Sequence, residues 1–182
     1  LADLTSGDVA EFRKMSLKEQ MEFAKKVKSR PEGQSAIEYM QEALGDAQYL
    51  GQFDVLLLYA NHGTIQPHQW TNLKNFVENG GGFVPVHCAS WCFGNEPGFD
   101  KLVGGRFKSH QGAVFSARIS NGKHPAMKGV KAFEAWDETY FHTNHNPKNR
   151  TVLMVRDAMP GDPHTKPEPW TWVRTQGTGR VF

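Results

Sequence analysis

The stretch Gly80-Gly81-Gly82-Phe83-Val84-Pro85-Val86-His87-Cys88-Ala89-Ser90 constrains the fold most. Trp70, Leu73 and Val77 recur before it at helical spacing, and three glycines stop that helix, because glycine takes positive φ without steric cost. Phe83 to Val86 then reads as a short strand covered on both faces. Upstream, Phe-Asp-Val-Leu-Leu-Leu-Tyr at 53–59 is a continuous apolar run closed by Asn61-His62-Gly63, and predicts a central parallel strand. Strand, helix at 67–79, and strand make a right-handed βαβ unit. Ligands of open parallel sheets sit beyond the carboxyl ends of the strands. His87, Cys88 and Ser90 fall there; His87 and Cys88 are equally readable as buried strand-end residues.

The rest of the chain reads as scaffold around that unit. Ser16-Leu17-Lys18-Glu19 is a capping box ahead of an apolar stripe at Leu17, Met21, Ala24 and Val27. A second helix covers 35–44, and Asp100 to Val103 form a helical turn stopped by Gly104-Gly105. Strands are predicted at 114–119, 151–156 and 170–175, with a last one opening at Arg180. No repeat divides the 182 residues, so one domain over 1–182 is expected, with 1–50 an atypical helical part and both ends reading as cut. A net charge of +2, without a basic stretch interleaved with aromatics, gives no case for nucleic acid. No apolar stretch approaches the roughly 20 residues of a membrane span.

Chemistry concentrates in Trp136-Asp137-Glu138-Thr139-Tyr140-Phe141-His142-Thr143-Asn144-His145. In an extended segment Glu138, Tyr140 and His142 share one face, and Asp137, Thr139 and Phe141 the other. Carboxylate and imidazole on one face suit an acid–base pair or a zinc or manganese ion, with His142 and His145 as ligands. The alternative is a surface strand with solvated carboxylates and Trp136 in the core. Trp91, Trp136, Trp170 and Trp172 offer a sugar-stacking wall, with His110 lining the pocket and Glu168 either at its rim or a solvated loop charge. Cys88 sits at a strand-to-helix elbow but lacks the flanking glycines of a nucleophile elbow. Cys88 and Cys92, four apart, leave the redox compartment open.

Four ordered blocks carry a family resemblance: Gly80 through Ser90, His124-Pro125-Ala126-Met127-Lys128-Gly129, Trp136-Asp137-Glu138-Thr139-Tyr140, and Glu168-Pro169-Trp170-Thr171-Trp172. From about Asp54 to Phe182 the chain resembles the ThuA-like (trehalose-utilisation) family. The resemblance implies a flavodoxin-like, three-layer α/β domain with a mostly parallel central sheet, related to class I glutamine amidotransferases, with a His motif replacing the Cys elbow. It implies catabolism of 3-keto-glycosides, with His87, Asp137, Glu138 and Tyr140 in the pocket. It also implies a periplasmic or exported bacterial setting, though the residues leave a cytoplasmic one open, and cytochrome-c-like or sugar-dehydrogenase-like modules alongside. A non-catalytic sugar-binding or assembly module is the competing expectation. The chain departs from the family in lacking a His-bearing loop after an N-terminal strand, and the Gly-His-Asp/Glu loop expected after Phe182 is not in it.

Overall fold

The computed structural model describes residues 35–182. The capping box at Ser16 and the helix predicted behind it lie outside the described residues. Ser35 caps α1 (Ala36–Gly45) with a reciprocal bond to Glu38, and Asp46 caps the short α2 (Ala47–Leu50). There follow β1 (Val55–Leu58), α3 (Pro67–Glu78) and β2 (Gly82–Pro85). A 3-10 turn, His87–Trp91, leads to α4 (Pro97–Val103). The second half is strand-rich: β3 (Arg106–Ser109), β4 (Gly112–Ile119), β5 (Phe133–Glu138), β6 (Phe141–Thr143), β7 (Arg150–Arg156), β8 (Glu168–Gln176) and β9 (Gly179–Val181).

The fold is α/β, as the sequence indicates, but its sheet is mixed rather than mostly parallel. The order is β1-β2-β9-β8-β7-β4-β5, with β3 and β6 pairing apart as a two-stranded sheet. β1–β2 and β2–β9 are parallel, while β9–β8, β8–β7, β7–β4 and β4–β5 are antiparallel. The reason is connection length. Only β1 and β2 are consecutive strands joined by a helical crossover, whereas β4–β5, β7–β8 and β8–β9 are consecutive neighbours joined by loops without a crossover, which return the chain antiparallel. β1 is also not central: among the described residues it is the sheet edge, and Val55, Leu57 and Tyr59 are exposed.

The main core forms where α1 and α3 meet the inner sheet face, around Leu44, Leu58, Leu73, Val77, Phe83 and Val181. Phe93 and Phe99, edge to face at 4.8 Å, extend it under the elbow. A smaller cluster of Phe115, Ala117, Met127, Leu153 and Met154 fills the antiparallel half. Gly80, at φ 117°, ends α3, as the triple glycine predicts. Gly179 lets β9 pass against α3, since a Cβ there would collide with the Val77 and Gly81 carbonyl oxygens. Neither carbonyl can move aside as a side chain would. Gly179→Ala should therefore cost about 2 kcal/mol or more in urea unfolding, in the range of overpacked cores; an unchanged midpoint would contradict this packing.

Candidate active site

The elbow after β2 positions the first group. His87 adopts φ 53°, a left-handed conformation costing a non-glycine residue roughly 1–2 kcal/mol. Such strain, held at a strand end, is often functional. The turn is pinned from below. Arg106 on β3 donates to the Trp91 and Cys92 carbonyl oxygens and to Asp100 on α4, whose other oxygen accepts from Asn144.

The predicted strand at 136–145 is broken. β5 ends at Glu138, Thr139 binds back to the Gln111 carbonyl, and the chain restarts as β6 beside β3. The break still leaves Glu138 and Tyr140 together at His87. The Tyr140 hydroxyl lies 3.1 Å from His87 Nδ1, and His87 Nε2 lies 3.4 Å from Glu138 Oε2. His110 Nε2 approaches the other Glu138 oxygen at 3.7 Å. Burial pushes the Tyr140 phenol far up, reinforced by the charge of Glu138, so the phenol keeps its proton. A protonated phenol can donate to Nδ1, and in that arrangement the His87 N–H lies on Nε2, facing the carboxylate. Phe107, 4.4 Å from the Tyr140 ring, backs the group.

His87, Glu138 and Tyr140 open on a cavity of about 290 Å³ lined also by Pro85, Val86, Ser90, His142, Trp170, Thr171, Trp172 and Phe182; His110, expected in the pocket wall, contacts Glu138 from outside that lining. It lies at the carboxyl ends of β2 and β9, where the βαβ reading places a ligand. A larger open groove, about 1,270 Å³, runs by the amino-terminal ends of β1 and β2, and none of the sequence-predicted site residues lines it.

Two tryptophans of the predicted wall reach the cavity. Trp170 packs on Phe115, and Trp172 gives its indole N–H to the Val103 carbonyl. Trp136 is 70% exposed and beside Gly112, and Trp91 lies over Gly63; neither lines the cavity, so the four-tryptophan wall does not form. Trp136 is also not in the core. Asp137 is exposed and accepts from the Glu138 amide, away from the cavity. Burial and the Glu138 charge push the Cys88 thiol up, opposite to what a thiolate nucleophile needs.

Glu168 is neither at a rim nor solvated: it is fully buried at the start of β8. It accepts the His142 backbone N–H at 3.1 Å. His142 Nδ1, His145 Nε2 and His164 Nε2 surround it at 3.5, 3.6 and 3.5 Å. Burial alone raises its carboxyl, but the His142 backbone N–H and the facing imidazoles of His142 and His145 outweigh that and hold it at about 2. His145 is not set up as a ligand for the expected zinc or manganese. Arg150 contacts His145 Nδ1 at 3.0 Å, and a guanidinium only donates. Nδ1 must accept, so Nε2 carries the hydrogen and has no lone pair for a metal beside Glu168. Among the described residues no group of three or more His, Cys, Asp or Glu is placed to hold a metal ion.

The family trehalose utilisation, ThuA, matches residues 5–182. This chain belongs to the ThuA family, and that membership indicates a carbohydrate-related role. The match reaches into the N-terminal part that reads as atypical from sequence. Solved ThuA-like proteins from Parabacteroides merdae (TM-score 0.66, 19% identity) and Bacteroides uniformis (0.61, 21%) share the fold. The alignments cover 86% and 76% of this chain but 65% and 63% of theirs, so the chain spans under two thirds of these ThuA-like proteins. Part of a GH42 β-galactosidase from G. stearothermophilus also aligns (TM-score 0.51, 15% identity, 71% of this chain, 18% of that one). No curated protein matches the sequence. Among the described residues no helix is long and apolar enough to cross a membrane.

Sequence reasoning missed Phe107, His164 and the buried Arg156–Asp162 pair, which also reaches the Tyr140 carbonyl. Phe107 sits in a short polar strand and His164 in a polar loop, and neither carries a local signal; Arg156 was legible only as a strand end.

The folded Glu168 value of about 2 lies below its ordinary 4.5. Its contribution is therefore complete above pH 4.5 and is lost as pH falls from there toward 2. The difference in unfolding free energy between wild type and Glu168→Gln should be about 3 kcal/mol at pH 7 and shrink through that window. A pH-independent difference in denaturant titrations would refute the assignment.

Proposed function

We propose that this ThuA chain acts on an oxidised (3-keto) sugar or glycoside by acid–base isomerisation or elimination. The observation that carries it is the Glu138–His87–Tyr140 chain of contacts opening on the cavity. A ketone acidifies the adjacent C–H. Glu138, a carboxylate facing an imidazole N–H, takes that proton, and the buried Tyr140 hydroxyl, held protonated, turns its O–H from His87 Nδ1 to the developing enolate oxygen. A cavity near 290 Å³ sits at the low end of ligand sites, suiting one sugar ring. We read the parallel β1–β2–β9 segment, with its ligand end at the elbow, as the flavodoxin-like part of the fold. An adjoining dehydrogenase-like or cytochrome-c-like module of a periplasmic or exported protein would supply the oxidised sugar.

A second reading, a non-catalytic sugar-binding module, is favoured by Trp170 and Trp172 lining the same cavity. Turnover separates the two. Glu138→Gln should lower turnover of a 3-keto-glucoside by about 10²-fold or more, the usual worth of a general base, with thermal unfolding unchanged. Binding without turnover in the wild type would leave the binding module. Dialysis against a chelator should leave wild-type turnover intact; a stoichiometric metal lost in His142→Ala would instead reinstate the metal site.

A further inference from the structure

Elimination moves two protons, and the Glu138 group accounts for one. The second must reach the oxygen that departs from the neighbouring carbon. Three imidazoles surround the buried Glu168, but His142 is the one that also lines the cavity. His145 is turned to Arg150, and the His164 side chain is 38% exposed, on the loop before β8. His142 is 6% exposed, its backbone N–H is held by Glu168 Oε1, and its Nδ1 faces the same oxygen. The ring is further fixed by Trp172, edge on at 5.4 Å. Nδ1 and Glu168 Oε2 are buried polar atoms without a hydrogen-bond partner in this arrangement, so a small ring movement that closes the 3.5 Å gap satisfies His142. Nε2 has no protein partner among the described residues. The Tyr140 ring neighbours both imidazoles, 4.7 Å from His87 and 6.0 Å from His142. A sugar in this cavity thus meets both the base Glu138 and His142.

We propose that Glu168 and His142 form a positioned carboxylate–imidazole pair, and that His142 Nε2 donates the proton to the departing glycosidic oxygen. This rests on the acid–base reading above. The step balances: the C2–H proton goes to Glu138 and its electron pair forms the C1–C2 double bond. The C1–O bond breaks with its pair on oxygen, and the His142 Nε2 proton completes the released alcohol. Glu168 is a positioning residue: it holds Nδ1–H and stabilises the imidazolium before transfer. The ligand class is accordingly narrowed to 3-keto glycosides with a poor, alkoxide-like leaving group.

The test uses the intact protein with methyl and p-nitrophenyl 3-keto-glucosides of both anomers. Nitrophenolate departs without protonation, whereas methoxide does not. His142→Gln should slow methyl glucoside turnover about 100-fold or more, yet p-nitrophenyl turnover less than about tenfold. Glu168→Gln should show the same leaving-group selectivity, which a merely structural role would not give. If that variant fails to fold, judged by thermal unfolding, His142→Gln decides alone. Equal slowing of both substrates, or of neither, overturns the role of His142 while leaving Glu138 as base. No turnover of either substrate by the wild type overturns the base reading and this one with it.

Discussion

A buried carboxylate organises the cavity-bearing half of this protein. Taking Glu168 out of water costs several kcal/mol unless its oxygens are met. The meeting groups come from β6 and from the loops on either side of β7: the His142 backbone and ring, His145 and His164. β6 belongs to the small sheet with β3 and shares no ladder with the main sheet. Its position relative to the cavity therefore depends on side-chain links: Glu168 to His142, Arg156 to the Tyr140 carbonyl, and Asn144 to Asp100. The charge that is expensive to bury is what orders the segment carrying Tyr140 and His142.

The other half of the site follows from the elbow. β2 is short and parallel to its neighbours, so its carboxyl end meets the end of β9 at one crevice. His87 leaves that strand in a strained left-handed conformation, which aims its ring at Glu138 and Tyr140 rather than into the core. The Arg106–Asp100 pair, 3.1 Å and mostly buried, holds the turn from the opposite side. Strain in the backbone is thus opposed by packing and hydrogen bonds on elements that take no part in the cavity.

Much of this was legible in the sequence. The βαβ unit, the glycine stop after α3, the Ser35 helix and the strands at β4, β7 and β8 follow from periodicity and turn residues, which are local signals. His87, Glu138 and Tyr140 were legible because a strand-end rule and a parity rule point at the same crevice. The mixed sheet was not, since strand direction is set by which strands pair at long range. Glu168 shows the same limit. Beside two prolines in a polar loop sequence it reads as solvated, and only the folding of β6 against β8 buries it. His142 and His145 read as metal ligands by residue type, but the Arg150 contact that fixes the His145 tautomer is invisible to spacing. The tryptophan wall failed because Trp136, though it shares the parity of Glu138, lies exposed beside Gly112 on the edge strand β5, short of the cavity.

The central claim is that this cavity removes a proton beside a sugar ketone. The most direct measurement is deuterium wash-in, followed by NMR in heavy water, on the 3-keto derivative of 1,5-anhydroglucitol, which has the acidified C–H but no leaving group. The account predicts that the protein accelerates exchange at the carbon next to the ketone and that Glu138→Gln abolishes the acceleration. Binding of the analogue with exchange no faster than in buffer would contradict it.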